Sequence, residues 1–406
     1  MPGRRTAGHT AAVPPVIRVL NPADLDAAWT ALETAFGASP HPADRDAEMA
    51  VVDPARFYAA YDDDWPVATA GSFDVIMTVP GAALPVAGVT WVGVLPTYRR
   101  QGLLGQLMAR QLQDLHAAGT AVAALWASEG AIYQRYGYGP AAWTLSLTVP
   151  RGAPFRDPVG PGGLQQVEPS APALRAAYDE VAGRTVGWLR RDDAWWGQRL
   201  HDPEHRRAGG GPLQCVTTDG GYALYSTEPR RDTGVPAGTV RVRELVAATA
   251  PAGARLWRHL LDLDLMRELT CWGVATDDPL LQLLAEPRRA RPLLCDNLWV
   301  RLVELGAALS GRRYAADVDV VLDVDDAHCP WNTGRWHLVG DRAGATCVRT
   351  DAAADLVVSP ADLGAAYLGG TTLHSRAVRE LTPGALGPVS TAFGPLGGAP
   401  YCPQVF

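Results

Sequence analysis

A predicted strand ends and a predicted helix begins within the stretch Val92-Gly93-Val94-Leu95-Pro96-Thr97-Tyr98-Arg99-Arg100-Gln101-Gly102-Leu103-Leu104-Gly105. The first amides of a helix have no internal partner, and the helix dipole places partial positive charge there. Gly102 lets a bulky anion approach the backbone, while Arg99 and Arg100 add charged donors. These features predict a pyrophosphate cradle, with an exposed basic turn as the alternative. The stretch contains neither GK[ST] nor GxGxxG, so it is not a nucleotide-binding loop of those two kinds.

The flanking sequence predicts alternating strands and helices. Strands are predicted for residues 73–79 and 86–94, separated by the turn signal Pro80-Gly81, and for the apolar run 121–127. Apolar residues at helical spacing predict helices over residues 23–36 and from Leu103 to Gly119. This order is typical of an α/β layer architecture.

Composition restricts the class of protein. A chain of 406 residues with 47% hydrophobic and 19% charged residues is expected to fold into two or three domains. The net charge of −7 and the lack of a basic stripe argue against a nucleic-acid partner. An acidic protein favours cationic small molecules instead. No apolar run is long enough to span a membrane and the start does not resemble a secretory signal, so we expect a cytoplasmic protein with no membrane partner.

Two further features of the composition limit interpretation. The six cysteines form no CxxC pair and no zinc-ligand spacing, so we expect reduced thiols and no metal. All 36 basic residues are arginine, which suggests GC-biased coding, so a single arginine carries less information than usual.

The loop resembles a known family motif. Val-x-Val-x-Pro-x-x-Arg-Arg-x-Gly-Leu-Leu is similar to the acetyl-CoA-binding motif of the GNAT N-acetyltransferase superfamily. The block 127–139, Ala-Ser-Glu-Gly-Ala-Ile-Tyr-Gln-Arg-Tyr-Gly-Tyr-Gly, resembles the enhanced intracellular survival (Eis) proteins of actinobacteria, which acetylate aminoglycosides. Residues 187–191 with Trp195-Trp196, and residues 298–303 and 366–370, resemble the later domains of that family.

The resemblance implies an α/β (α+β) fold with two tandem GNAT-like domains and a sterol-carrier-protein-like α/β domain. We expect a disordered tail over residues 1–15 and a catalytic, acetyl-CoA-binding GNAT domain over 16–153. A second GNAT-like domain without a CoA site is expected over 162–296, because it lacks the basic glycine loop. The third domain, 297–406, is expected to send its C-terminus into the active site. The family also implies a homohexamer.

The resemblance also implies roles for individual residues. Acetyl-CoA, as co-substrate, is expected to contact Val92, Gly93, Val94, Arg99, Arg100, Gln101, Gly102, Leu103, Leu104, Gly105, Ser128 and Glu129. Tyr133 falls on the family's general acid, and a phenol with an ordinary pKa of about 10 is protonated at neutral pH. Tyr136 and Tyr138 are expected to be packing residues. The α-carboxylate of Phe406, ionised at neutral pH, is expected to be the general base, and the Pro/Gly-rich run 395–403 an extended strap.

The chain departs from the best-known members at two positions. Ala38 and Val405 stand where those members carry acidic residues. Losing two pocket carboxylates weakens the grip on a polycation, so we expect a smaller or less charged amine than an aminoglycoside.

Other groups have both a functional and a structural interpretation. The run Asp62-Asp63-Asp64 is a solvated charge cluster or the flank of a cationic substrate. The residues Trp188, Trp195 and Trp196 form a core cluster or a ligand wall. For His328, Cys329 and His337 we favour a packed hairpin over a metal site.

The sequence therefore predicts an acetyl-CoA-dependent N-acetyltransferase acting on a primary amine of a small cationic substrate, aminoglycoside-like or other. One alternative is an acyltransferase of the same fold that uses another acyl-CoA or a biosynthetic intermediate. An alternative of another class is a non-catalytic CoA- or lipid-binding regulatory protein.

Overall fold

The computed structural model describes residues 14–160 and 162–406, so most of the predicted tail, residues 1–13, lies outside the described residues. The first part of the chain alternates strands and helices as the sequence predicts. Its elements are β1 (Val16–Val19), α1 (Leu25–Ala35), α2 (Pro42–Met49), β2 (Phe57–Asp62), β3 (Trp65–Val79), β4 (Ala82–Val94), α3 (Leu103–Ala117), β5 (Val122–Trp126), α4 (Gly130–Gln134) and β6 (Gly139–Pro140).

The middle part again mixes both types of element. Its elements are β7 (Trp143–Pro150), β8 (Gln165–Val167), α5 (Ala171–Ala182), α6 (Asp193–Leu200), β9 (Gln214–Thr218), β10 (Gly221–Glu228), β11 (Arg231–Asp232), β12 (Val235–Pro236), β13 (Gly238–Ala247), α7 (Ala250–Asp262), β14 (Met266–Ala275), α8 (Leu280–Leu283) and β15 (Leu293–Asp296).

The last part contains shorter elements and an irregular tail. Its elements are β16 (Leu298–Leu302), α9 (Leu305–Ser310), β17 (Val318–Val324), β18 (Gly334–Gly340), β19 (Ala345–Arg349), β20 (Leu356–Val357), α10 (Pro360–Ala366), β21 (Arg379–Glu380) and α11 (Leu386–Ala392). No helix within the described ranges is long and apolar enough to cross a bilayer.

Two seven-stranded sheets share one plan. The first has the order β1-β2-β3-β4-β5-β16-β6, and the second has the order β15-β7-β14-β13-β10-β9-β8. In each sheet one central pair is parallel and is connected by a helix, β4-α3-β5 in the first and β13-α7-β14 in the second. A helical crossover between parallel neighbours is what a buried βαβ unit requires. A third sheet of five strands has the order β19-β18-β17-β20-β21.

The sheets exchange strands across the domain bounds expected from sequence. Strand β7 lies before residue 153, yet it pairs with β14 and β15 in the second sheet. Strand β16, expected at the start of the third domain, pairs antiparallel with β5 in the first sheet and is buried throughout. The free edge of β5 needs a partner to satisfy its backbone groups, and β16 supplies it.

The largest buried cluster includes residues of all three parts of the chain, with Val186, Leu189 and Trp195 from the middle part. It extends from Trp29 and Phe73 beside the first sheet to Leu322 and Phe393 in the third unit. The second sheet has its own cluster around Trp257 of α7. The first and third units therefore share apolar burial, which is the main favourable contribution to folding.

Candidate active site

The central feature of the first sheet is a gap between β4 and β5. The two strands pair in parallel from Val86 opposite Val122 to Val89 opposite Leu125. Strand β4 continues to Val94, so beyond Val89 no ladder to β5 is present among the described strands. The register of β4 against β3 shifts at this point, where Trp91 adopts φ 54° and its carbonyl accepts a 2.6 Å hydrogen bond from Thr69 Oγ1. Such an irregularity bends the strand, and it leaves an open edge at Val92–Val94.

The basic loop closes one end of this gap. Gly102, with φ 82°, precedes α3, and Arg100 adopts φ 62°. Because both φ values lie in the left-handed region, the loop turns sharply into the helix and directs its backbone toward the helix N-terminus. Gln101 Nε2 donates to the Thr97 carbonyl at 3.2 Å, which braces the loop.

The two loop arginines differ in their contacts. Arg99 Nε donates to the Val94 carbonyl at 3.1 Å, and its Nη2 donates to the Ala35 carbonyl at 2.7 Å. Arg99 therefore ties β4 and the last turn of α1 to the loop. Arg100 is exposed, and together with the first amides of α3 it offers donors to an anion.

Tyr133 lies on α4, beneath the sheet. It is 5% exposed and packs with Met108 and Leu112 of α3. Burial raises the pKa of Tyr133 above its ordinary value, and the neighbouring Ser128 hydroxyl offsets part of that rise. The phenol is therefore protonated at neutral pH and has a proton to donate. Tyr136 and Tyr138 are buried in the same cluster.

The C-terminal strap is held between the first two units. The Tyr401 amide donates to the Val186 carbonyl at 3.0 Å, and Asn297 exchanges two hydrogen bonds with the backbone of Cys402. The Trp126 indole at the end of β5 donates to the Gln404 carbonyl at 2.9 Å. Gln404 is 3% exposed, so the backbone is anchored two residues before the end of the chain.

The terminal residue lies against the sheet on the face opposite Tyr133. A Cβ placed on Gly88 of β4 would lie 3.1 Å from two ring carbons of Phe406. Neighbours Ala87 and Val89 point the other way and pack with Tyr133, as the alternation of side chains along a strand requires. The two predicted catalytic groups therefore lie on opposite faces of the sheet, next to the gap between β4 and β5.

A cavity of about 390 Å³ adjoins the terminus. It is lined by α2, by the second unit and by the strap, through Asp44, Ala47, Glu48, Gln198, Arg199, His201, Arg206, Arg243, Gln404, Val405 and Phe406. No feature of the sequence singles out any of these residues except Val405 and Phe406. Except for Ala47, the others are polar residues, and they are scattered between positions 44 and 404, so no local spacing connects them.

Two carboxylates on α2 form one side of this cavity. Burial would raise the pKa of Asp44, but hydrogen bonds with His205, Arg206 and His201 outweigh it and hold the pKa at about 2. Glu48 accepts from the Trp91 indole at 2.8 Å and from Gln198 Nε2 at 3.0 Å. Burial raises the pKa of Glu48, against the lowering effect of those two donors. Both acids are therefore occupied by groups of the protein.

Other candidates from the sequence lie elsewhere. Asp62 is hydrogen-bonded to the Tyr98 hydroxyl at the β2–β3 turn and does not line the cavity. The tryptophans Trp188, Trp195 and Trp196 are buried in apolar clusters, as the core interpretation predicts. His337 Nε2 lies 2.7 Å from Asp319, whereas the ring of His328 packs on Tyr136.

The structure groups three other possible metal ligands. Donor atoms of His41, Asp44 and His205 lie within 4.8 Å of one another. Arg206 Nε already occupies the same carboxylate at 2.8 Å, so a guanidinium takes the place of a cation there.

Comparison with known proteins supports this description. Models of an acetyltransferase (GNAT) domain match residues 16–141 and 187–302, and a sterol carrier protein domain model matches residues 305–403. The predicted fold of two GNAT-like domains followed by a sterol-carrier-protein-like domain is confirmed.

The relatives match from about three quarters of the chain to nearly all of it. An uncharacterized N-acetyltransferase of Streptomyces avermitilis is 41% identical over 407 residues, which cover 96% of this chain and 99% of that protein. N-acetyltransferase Eis of Mycobacterium tuberculosis is 38% identical over 310 residues, with coverage of 73% and 74%. The crystal structure of Eis1 from Mycobacterium abscessus aligns with a TM-score of 0.83 and 32% identity, covering 96% of this chain and 100% of that one.

Proposed function

Because this chain belongs to the GNAT N-acetyltransferases of the Eis type, we propose that it transfers the acetyl group of acetyl-CoA directly to a primary amine of a small substrate. The proposal includes the catalytic groups, Tyr133 as general acid and the α-carboxylate of Phe406 as general base. A family of this fold uses acetyl-CoA as co-substrate, which supplies an activated thioester.

The residues of the chain fit that co-substrate. The open edge at Val92–Val94 is suited to pairing with the amides of an extended pantetheine arm, by addition of a strand. The amides that begin α3, with Arg100, are suited to the pyrophosphate. Ser128 and Glu129 follow β5 on the opposite side of the gap and are exposed, so they are available to the same ligand.

The chemistry requires an acid and a base at separate positions. The carboxylate of Phe406 removes a proton from the ammonium group, since only a neutral amine attacks a thioester. Tyr133 donates its proton to the departing thiolate as the tetrahedral intermediate collapses. The burial of Tyr133 suits this role because it keeps the phenol protonated.

The observation that carries the proposal is the position of the chain end. Phe406 lines a cavity of about 390 Å³ and its ring lies against Gly88, next to the gap in the sheet. An amine held in the cavity would face the gap from one side, with Tyr133 on the other side. No covalent enzyme intermediate is needed in this arrangement.

The test is a panel of primary amines with acetyl-CoA, measuring released thiol. We expect release that depends on the amine, with the acetylated amine identified by mass spectrometry. Release only with a longer acyl-CoA would contradict the choice of donor. Tight CoA binding without thiol release for any amine or acyl-CoA would contradict the enzymatic proposal and favour a regulatory binding protein.

A further inference from the structure

The cavity beside Phe406 has a strongly basic wall. Three of its lining residues are arginines of the second unit, Arg199, Arg206 and Arg243. Burial lowers the pKa of Arg243, and repulsion from Arg199 and Arg206 lowers it further, against attraction to Asp202. The three guanidinium groups are therefore close enough to feel one another's charge.

The carboxylates of this wall do not balance its arginines. Arg191 and Arg199 share Glu244, Arg207 and Arg243 share Asp202, and Arg206 pairs with Asp44. Five guanidinium groups thus share these three carboxylates, so two positive charges remain over within this group, before Glu48 and the chain terminus, which also line the cavity, are counted. In a partly desolvated site such an excess attracts an anion far more strongly than it would in water.

One of the three cavity arginines also has an unused donor. Arg199 Nη2 donates to the Arg243 carbonyl at 2.6 Å and lies 2.9 Å from Glu244 Oε1. Its Nε is buried and has no hydrogen-bond partner among the described residues. A buried donor without a partner costs free energy.

Carboxylates also line this cavity. They are Asp44, Glu48 and the chain terminus, and Glu33 of α1 lies near the two α2 acids. Burial raises the pKa of Glu33, and the charges of Asp44 and Glu48 raise it further, against Arg206. Asp44 itself is paired with Arg206 and hydrogen-bonded to two histidines. The cavity therefore offers carboxylates to an ammonium group as well as guanidinium groups to an anion.

We infer that the substrate is a small primary amine that also carries an anionic group, a carboxylate or a phosphate, bound by Arg199, Arg206 and Arg243. This inference rests on the proposed function and specifies its acceptor. The planar guanidinium group can donate two parallel hydrogen bonds to either anion. A polycation would place further ammonium groups against the arginine wall, and like charges at close range are rejected.

The size of the cavity supports the same choice. A volume of about 390 Å³ lies near the lower end of small-molecule sites. It suits an acceptor with one amine and one acid better than a multi-ring polyamine. The absence of acids at Ala38 and Val405 removes two groups that would hold additional ammonium charges.

Matched pairs of amines test the inference in the full-length enzyme with acetyl-CoA. The carboxylate arm compares 4-(aminomethyl)benzoate with its neutral carboxamide, and the phosphate arm compares 2-aminoethyl phosphate with ethanolamine. We expect kcat/KM for the charged member of at least one pair to exceed that of the neutral member by about tenfold or more, equivalent to one good ionic contact. The arm with the larger ratio identifies the anion.

The Arg206→Gln variant tests whether the cavity arginines cause the preference for the charged amine. Arg206 is largely exposed, so Arg206→Gln is expected to fold, and it should bring the charged-to-neutral ratio toward one. Arg175→Gln is the matched control, because Arg175 forms a surface pair with Asp193 and does not line the cavity. The control should keep the ratio of the parent enzyme.

The outcomes separate the two proposals. Acetylation in which the neutral members, or an aminoglycoside, are preferred would overturn the inference and leave the acetyltransferase proposal standing. No turnover of any amine would overturn both. As a readout without turnover, 4-(aminomethyl)benzoate should raise Tm in the presence of CoA more than its carboxamide does, and Arg206→Gln should remove the difference.

Discussion

At the scale of single residues, the burial of Tyr133 suits the general-acid role proposed for it. It lies in an apolar cluster, yet its side chain is close to Ser128, which belongs to the proposed acetyl-CoA contacts. Burial raises the pKa of Tyr133, so the phenol stays protonated over a wider pH range than in water. A proton donor to a thiolate requires that property.

Replacing Tyr133 with Phe removes the proton and keeps the ring. We expect kcat to fall about a hundredfold, as for the loss of a general acid, with the Kd for CoA nearly unchanged. The parent enzyme should show no alkaline loss of kcat below about pH 10, because the raised pKa of Tyr133 delays its ionisation. Tyr136→Phe is the control. If Tyr133→Phe retains full activity, the assignment is wrong and Tyr136 becomes the next candidate.

Replacing Gly88 tests whether the position of the Phe406 ring matters for turnover. A Cβ there would meet the Phe406 ring at 3.1 Å, which is tighter than ordinary van der Waals contact, so the ring must move. We expect Gly88→Ala to lower kcat several-fold with little change in the KM for acetyl-CoA. Gly344→Ala is the control, since a Cβ at Gly344 meets nothing within 4 Å. Equal kcat in both variants would show that the position of the ring does not matter.

At the scale of elements, the same strand–helix–strand unit occurs twice with different ends. Helix α3 begins after the basic loop at Gly102, whereas α7 is capped by the Thr249 side chain and has Pro251 in its first turn. The second parallel pair also separates, since β13 continues past its last pair, Val242 with Cys271. The strap enters that region, where the Tyr401 hydroxyl donates to the Gly273 carbonyl at 2.8 Å. That the second unit lacks a CoA site stays a prediction.

Arg99 and Arg100, in the loop before α3, make different contacts, so we expect their replacement to have different effects. Arg100→Ala should raise the KM for acetyl-CoA about 10- to 100-fold, because a charge-assisted hydrogen bond contributes about 1.5–3 kcal/mol. The Tm of the Arg100→Ala variant should stay unchanged. Arg99→Ala should also lower Tm by a few degrees, because Arg99 holds the carbonyls of Val94 and Ala35. Acetyl-CoA titrations and thermal melts measure both; an unchanged KM in Arg100→Ala would exclude it from the phosphate site.

At the scale of the whole molecule, the proposed general base is the last residue of the chain, Phe406. The strap is anchored at Asn297, Trp126 and Arg191, which belong to separate strands and loops. The Arg191 guanidinium is itself fully buried against Glu244. Distant parts of the chain must therefore fold before the terminus can reach its position.

Appending two or three residues after Phe406 tests this dependence. The extension converts the α-carboxylate into a neutral amide and crowds the cavity, so we expect turnover to be nearly abolished. Acetyl-CoA should still bind, because its proposed contacts lie on the first unit. The same residues appended before Met1 serve as the control. Full activity in the C-terminally extended enzyme would require another base, with Glu129 as the first candidate.

The assembly state is a second property at this scale. The edge strand β15 exposes Leu293 and Leu294, at 63% and 57%, and nearby Trp272 is 61% exposed. Exposed apolar residues on a sheet edge suit contact with another copy, and the family resemblance implies a homohexamer. We expect light scattering to give six times the chain mass of 43.2 kDa. Leu294→Asp should lower that mass, and a monomeric parent protein would contradict the prediction.

The local sequence determined much of the first unit. Helices α1 and α3, strand β5 and the Pro80-Gly81 turn lie where spacing and turn residues predict them, whereas β3 and β4 begin earlier than predicted, at Trp65 and Ala82, and β1, α2, β2 and α4 were not predicted. The predicted elements are local, since each depends on the periodicity of a few consecutive residues. The loop before α3 and Tyr133 belonged to recognisable motifs for the same reason.

Only the tertiary structure decided the cavity beside Phe406 and the pairing of distant strands. Strand β16 looked like part of the third unit, yet it lies beside β5, because pairing depends on which free edge needs a partner. The charged residues of the cavity lie far apart in the sequence. They include Asp44, Arg199, Arg206 and Arg243, the first and last of which are 199 positions apart. In a chain whose basic residues are all arginine, no composition signal distinguishes these three from the others. Their meaning comes from charge and burial, which exist only once α2, the second unit and the C-terminal strap meet around one cavity.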